Sequence, residues 1–77
     1  MTRTIYSKNL TSYAAGDLVE YKMVGWMPAE NWLITRAWFQ DETRDTAAVW
    51  RLVMVNPKTG RTMTESGHRV TKISSAT

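Results

Sequence analysis

Few residues of this 77-residue chain have the types and spacing to do chemistry. His68 is the single histidine, and Ser66 stands two residues before it. An acyl-transfer site needs a nucleophile, a base and an orienting acid brought together by the fold. Ser66 and His68 share one short turn, Glu65-Ser66-Gly67-His68-Arg69-Val70, and that turn accounts for their closeness without catalysis. Asp41, Glu42 and Asp45 could in principle pair carboxylates for hydrolysis or cation binding, but Asp41–Thr46 reads as a solvated, charged connector. One histidine and scattered carboxylates lack the clustered spacing of metal ligands. Cysteine is absent, which removes thiolate sites and any disulfide framework. Gly16, Gly25, Gly60 and Gly67 are isolated, so no glycine-rich phosphate loop exists. The expectation is a non-enzyme with no catalytic residue, metal, cofactor or small-molecule substrate.

Binding chemistry is better represented. Trp26, Trp32, Trp38 and Trp50 are too many indoles to hide easily in a small core. Asn31–Gln40 reads as a strand whose faces are Trp32, Ile34, Arg36, Trp38 and Leu33, Thr35, Ala37, Phe39. Burying Arg36 unpaired would be costly, so the Leu33/Ala37/Phe39 face is expected inward. Trp32, Ile34, Arg36 and Trp38 then face outward, with Trp26 in the adjoining loop, as a partner-binding set. Trp and Arg are the types most enriched at binding hot spots. The alternative is that residues 1–15 fold back and turn this face into a second small core. A helix over Trp32–Asp41 would place Trp32, Arg36 and Phe39 on one side, a set of mixed polarity that disfavours it.

The elements that must position these residues are read from alternation and turn chemistry. Leu18–Met23 alternates, with Val19, Tyr21 and Met23 expected inward. Val24–Glu30 is a loop by its Gly and Pro. Val49–Val55 is dense in β-branched and aromatic residues, and keeping Arg51 out of the core turns Trp50, Leu52 and Met54 inward. Asn56-Pro57-Lys58-Thr59-Gly60 then specifies a tight return into Arg61-Thr62-Met63-Thr64. Asn56 suits the first corner, Pro57 pre-sets φ, and Gly60 takes the left-handed conformation. Glu65 or Ser66 is expected to accept backbone N–H groups at a single helical turn. Thr71–Ile73 is a last short strand, and Ser74–Thr77 should fray. Residues 1–15 form an N-terminal arm, with a candidate edge strand over Thr4–Tyr6, and residues 16–77 one β domain.

Gly16-Asp17-Leu18-Val19-Glu20-Tyr21-Lys22 resembles the opening GDxVxV strand of SH3-like small barrels, including KOW and Tudor-type domains. Trp50–Met54, the hairpin, and Thr64-Glu65-Ser66 with Val70 resemble the closing half of short phage-encoded domains of that fold. The resemblance covers about residues 16–73, with Gly67-His68-Arg69 slightly enlarging a single-turn helix. It implies an all-β barrel of about five short antiparallel strands and a phage or prophage origin. It implies no activity, because the fold hosts many.

Net charge is +3, from ten Lys and Arg against seven Asp and Glu. That surplus permits an anionic partner without demanding one. No apolar run approaches the ~20 residues that span a bilayer, and no secretory h-region opens the chain. A cytoplasmic protein without membrane contact is expected, docking on a protein partner or on itself through the Trp/Arg face. The rival expectation is a nucleic-acid-binding barrel, with Arg36, Arg51, Lys58, Arg61 and Arg69 as phosphate contacts and the tryptophans as stacking platforms.

Overall fold

Alternating β-branched and aromatic residues, punctuated by Gly, Pro and Asn, give five antiparallel strands. In the computed structural model, which describes residues 11–76, these are β1 (Leu18–Tyr21), β2 (Glu30–Gln40), β3 (Val49–Val55), β4 (Thr62–Ser66) and β5 (Thr71–Ser74). A 3₁₀ turn, Gly67–Arg69, precedes β5 as the enlarged single turn anticipated it. The strands form one sheet in the order β4-β3-β2-β1-β5. β4 and β5 are its two edges, so the fold is all-β with an open sheet. The candidate strand over Thr4–Tyr6 lies outside the described residues.

The β3–β4 turn forms as its residues dictate. Asn56 is buried, and its Oδ1 accepts the Lys58 N–H at 2.9 Å while its carbonyl accepts the Gly60 N–H at 2.7 Å. Gly60 takes φ +77°, a conformation open to glycine and strained for other residues. This turn locks the β3–β4 register, in which Leu52 faces Glu65 and Met54 faces Met63.

β2 departs from simple alternation. Its register with β3 runs Leu33 to Val55 and Ile34 to Met54, then Arg36 to Val53, Ala37 to Leu52, Trp38 to Arg51 and Phe39 to Trp50. Thr35 is the extra residue of a β-bulge. A bulge inserts one residue, so every side chain beyond it changes face. Before it, Trp32 and Ile34 point inward, each 1% exposed, and Leu33 points out. After it, Ala37 packs on the core and Arg36 and Trp38 point out. The expected outward facing of Trp32 and Ile34, and the inward facing of Leu33, are therefore corrected. Phe39 keeps its expected side, its ring 5.7 Å from that of Trp50, although it stays partly exposed. Met23 lies beyond β1 in the loop and is exposed, against its inward expectation.

The concave face holds the core: Val19, Tyr21, Trp32, Ile34, Leu52 and Met54 from three strands, with Val70 and Tyr13 from outside the sheet. Tyr13 belongs to the stretch read as an arm. Its hydroxyl donates to the Gly67 carbonyl at 3.0 Å, and its ring meets Trp50 edge-on at 6.1 Å. Across the same concavity the Tyr21 hydroxyl donates to Glu65 Oε2 at 2.9 Å, joining β1 to β4. Those strands stand three places apart in the sheet, so the sheet curls tightly enough to bring them together. Burial, followed by the bond to the Glu65 carboxylate, pushes the Tyr21 phenol up from its ordinary value.

Asp17, also buried, ties both ends of the described chain to β5. Its carboxylate accepts the Ala14 N–H at 2.9 Å and the Ala76 N–H at 2.8 Å, and meets Lys72 Nζ at 3.1 Å. Ala76 is thereby anchored, where fraying from Ser74 onward was expected. Burial alone would raise the Asp17 pKa. The two backbone N–H groups and Lys72 outweigh it and hold the carboxyl below its ordinary value.

Two predictions follow from this packing. Gly67 is buried, and a Cβ there would meet Tyr13 Cε2 at 2.8 Å and Trp50 Cβ at 3.0 Å. Gly67→Ala should therefore lose about 1–3 kcal/mol in denaturant melts. An unchanged midpoint would mean that Tyr13 does not seat on this turn. Because the folded Asp17 pKa is depressed, its contribution is present above the ordinary value near 3.9 and is lost as pH falls through the folded one. Asp17→Asn should lower the neutral-pH melting midpoint and flatten its fall between about pH 5 and pH 2. A variant with the wild-type acid limb would disprove the role.

Candidate interaction face

With the core on the concave side, the outer face of the sheet is set by register. Three rows cross it. Leu18, Leu33, Val55 and Thr62 form one, Arg36, Val53 and Thr64 the next, and Trp38, Arg51 and Ser66 the third. Leu33 and Trp38 are each 37% exposed, while Leu18, Val53 and Val55 are half-buried. Arg36 lays its guanidinium 4.9 Å from the centre of the Trp38 ring, two residues apart on one side of β2. This stacking covers one side of the indole and leaves the cation at the surface. Thr35, at the bulge, donates its hydroxyl to the Val53 carbonyl at 3.2 Å and holds the extra residue against β3.

Arg51, half-buried and directly opposite Trp38, donates from Nη1 to Ser66 Oγ at 2.9 Å. Ser66 thus serves Arg51 and makes no side-chain cap to the 3₁₀ turn. Glu65 takes the local role instead, its Oε1 accepting the Ser66 N–H at 2.9 Å. Beside Arg51 a cleft of about 570 Å³ opens at the end of the sheet, with Gln40, Ala48, Val49, Ser66 and His68 among its walls. Ser66 and His68 come together here only as parts of that wall.

The expected partner-binding set is divided by the structure. Arg36 and Trp38 stand together on the outer face. Trp32 and Ile34 lie in the core, and the Trp32 indole, edge-on to Tyr21 at 6.4 Å, has no hydrogen-bond partner for its Nε1. Trp26 is 85% exposed at the tip of the β1–β2 loop, where Met27 N–H closes a turn on the Val24 carbonyl at 3.0 Å. That loop leads into the start of β2. Trp38 lies eight residues past Glu30, about 26 Å along an extended strand, so the two indoles do not form one patch.

The proposed phosphate contacts are also dispersed. Lys58 and Arg61 occupy the β3–β4 turn, at the same end of the sheet as Trp26, while Arg51 sits by Trp38. Arg69 pairs with Glu65 at 3.8 Å, on the residue that bonds Tyr21 across the core. Among the described residues no group of three or more His, Asp or Glu could hold a metal ion, and no helix is long and apolar enough to cross a membrane.

Sequence reasoning missed Tyr13, Asp17 and the pairing of Arg51 with Ser66. A buried carboxylate shows no periodic signal. The alignment of Arg51 with Ser66 follows from the hairpin, since the Asn56 N–H bonds the Arg61 carbonyl across the four-residue loop Pro57–Gly60 and counting back from that pair sets Arg51 opposite Ser66. Comparison with protein-family models, with curated proteins and with solved structures finds no match to this chain.

Proposed function

We propose that the chain is a non-enzymatic interaction module that docks on a protein partner through the outer face of β2 and β3. Trp38 is the anchor, Arg36 and Arg51 flank it, and Val53, Val55 and Leu33 extend the contact. One observation carries the reading: an exposed indole stacked under one arginine and opposite a second, on a ribbon whose other members are mainly apolar. Such a surface joins the residue types that dominate interface energetics, on rigid strands that lose little entropy on binding. The same proposal takes the sheet as SH3-like and of phage or prophage origin, working in the host cytoplasm. In its support stand the GD-type opening of β1, the pairing of β1 with both β2 and β5, and the 3₁₀ turn before β5. The partner is a host factor or a second copy of the chain.

Nucleic acid is the rival occupant, since an indole between two arginines can stack a base. The remaining cations argue for protein, because Lys58, Arg61 and Arg69 do not line a common track with Arg51.

Trp38→Ala should weaken partner capture by about thirty-fold or more, the size of a hot-spot loss of about 2 kcal/mol. Its melting midpoint should stay within a few degrees of wild type. Capture should change little between low and physiological salt, whereas a surface neutralising several phosphates would lose orders of magnitude. Capture that survives Trp38→Ala would contradict the assignment of the face, and steep salt dependence with recovered oligonucleotide would favour the rival.

A further inference from the structure

We infer that the cleft beside Arg51 is a carboxylate-binding subsite, and that the partner offers an acidic group set among apolar residues. The inference rests on the docking face proposed above and names what that face selects. Arg51 is half-buried in a wall of the cleft, and among the described residues no carboxylate lies within ion-pair distance of it. Its one hydrogen-bond partner there is the neutral Ser66 hydroxyl. Glu65, the chain neighbour of Ser66, faces the other side of the sheet, where Tyr21, the Ser66 N–H and Arg69 occupy its oxygens. A partly desolvated guanidinium with no counter-ion among the described residues is poised for an external anion.

The form of the site selects among anions. Arg51 presents a planar fork of donors, and its bond to Ser66 holds that fork in place with donors to spare. Ser66 is nine-tenths buried, and while its oxygen accepts from Arg51 its own O–H can donate. The Gln40 side chain adds an amide at the wall. One fixed cation and two neutral donors match a single negative charge better than a phosphate dianion. The apolar walls, Ala48 and Val49, and the neighbouring Trp38 suit a peptide more than a sugar-phosphate chain. The cleft volume, about 570 Å³, is within the roughly 300–1,000 Å³ of ligand-sized sites and exceeds the need of one side chain. Flanking residues of the peptide therefore have room along the Val49–Val53 ribbon.

The test is an NMR titration of the full chain with three peptides: N-acetyl-Leu-Glu-Leu-amide, its Gln counterpart, and N-acetyl-Leu-Leu-Leu with a free carboxyl end. The Glu peptide should bind at least ten-fold more tightly than the Gln peptide, about 1.4 kcal/mol. The Gln40, Ala48 and Ser66 signals and the Arg51 side-chain N–H should move with it. Equal or better binding of the third peptide would assign the carboxylate to a chain end, with the subsite unchanged. Arg51→Gln should erase the preference for Glu, and the Arg51 N–H response in the wild-type chain gives the answer even if that variant folds poorly. Equal affinity for the Glu and Gln peptides, or shifts centred on Lys58 and Arg61, would overturn the inference. So would binding of oligothymidylate at these residues in place of the peptides. If Trp38→Ala abolishes peptide binding and Arg51→Gln leaves it intact, the subsite falls and the docking face stands. The reverse pattern keeps the subsite and removes the face.

Discussion

Thr35 and Arg36 together oppose Val53, and this one extra residue decides which side chains of β2 meet water. β2 carries large apolar groups and a cation at alternate positions, Trp32, Ile34, Arg36 and Trp38. An unbroken strand would have to bury all four or expose all four. Burying them strands a guanidinium in the core. Exposing them removes Trp32 and Ile34, the centre of the apolar cluster, from a chain with little core to spare. The bulge resolves the conflict by turning the face over between Ile34 and Arg36. The first half of the strand then builds the core and the second half the candidate interaction surface, on one continuous backbone.

The remaining stability of so small a sheet comes from side chains that span its concavity. Tyr13 to Gly67, Tyr21 to Glu65, and Asp17 to Ala76 and Lys72 each connect segments far apart in sequence. They act where backbone pairing between β4 and β5 is absent. Such bonds lie in buried or part-buried surroundings, where a polar group that loses its partner is costly. They also fix the 3₁₀ turn, and with it Ser66, His68 and the wall of the Arg51 cleft. Core and surface are thus mechanically coupled through a few polar contacts.

Much of the fold was legible in the sequence. The Asn56–Gly60 turn, the inward set Trp50, Leu52 and Met54, and the short turn before the last strand each rest on local chemistry, and each formed as that chemistry requires. The error on β2 has a specific cause. Alternation reports which residues share a face only while the pleat is regular, and Thr35 is an ordinary strand residue with nothing to mark a bulge. Desolvation of Arg36 was the correct argument applied to too long a segment: it governs Arg36 and Trp38 and does not reach back past Thr35. Tyr13 escaped notice because a single aromatic in a polar stretch has no period. Its burial depends on the gap that Gly67 leaves, a contact 54 residues away in the chain.

The opposed facing of Trp32 and Trp38 is the central structural claim, and single-tryptophan chains read it directly. With the other three indoles replaced by phenylalanine, iodide should quench the fluorescence of the Trp38-only protein readily and barely touch the Trp32-only protein. The two should become equal in denaturant. Quenching of Trp32 as efficient as that of Trp38 in the folded chain would mean that β2 has no face reversal, and the account built on it would fail.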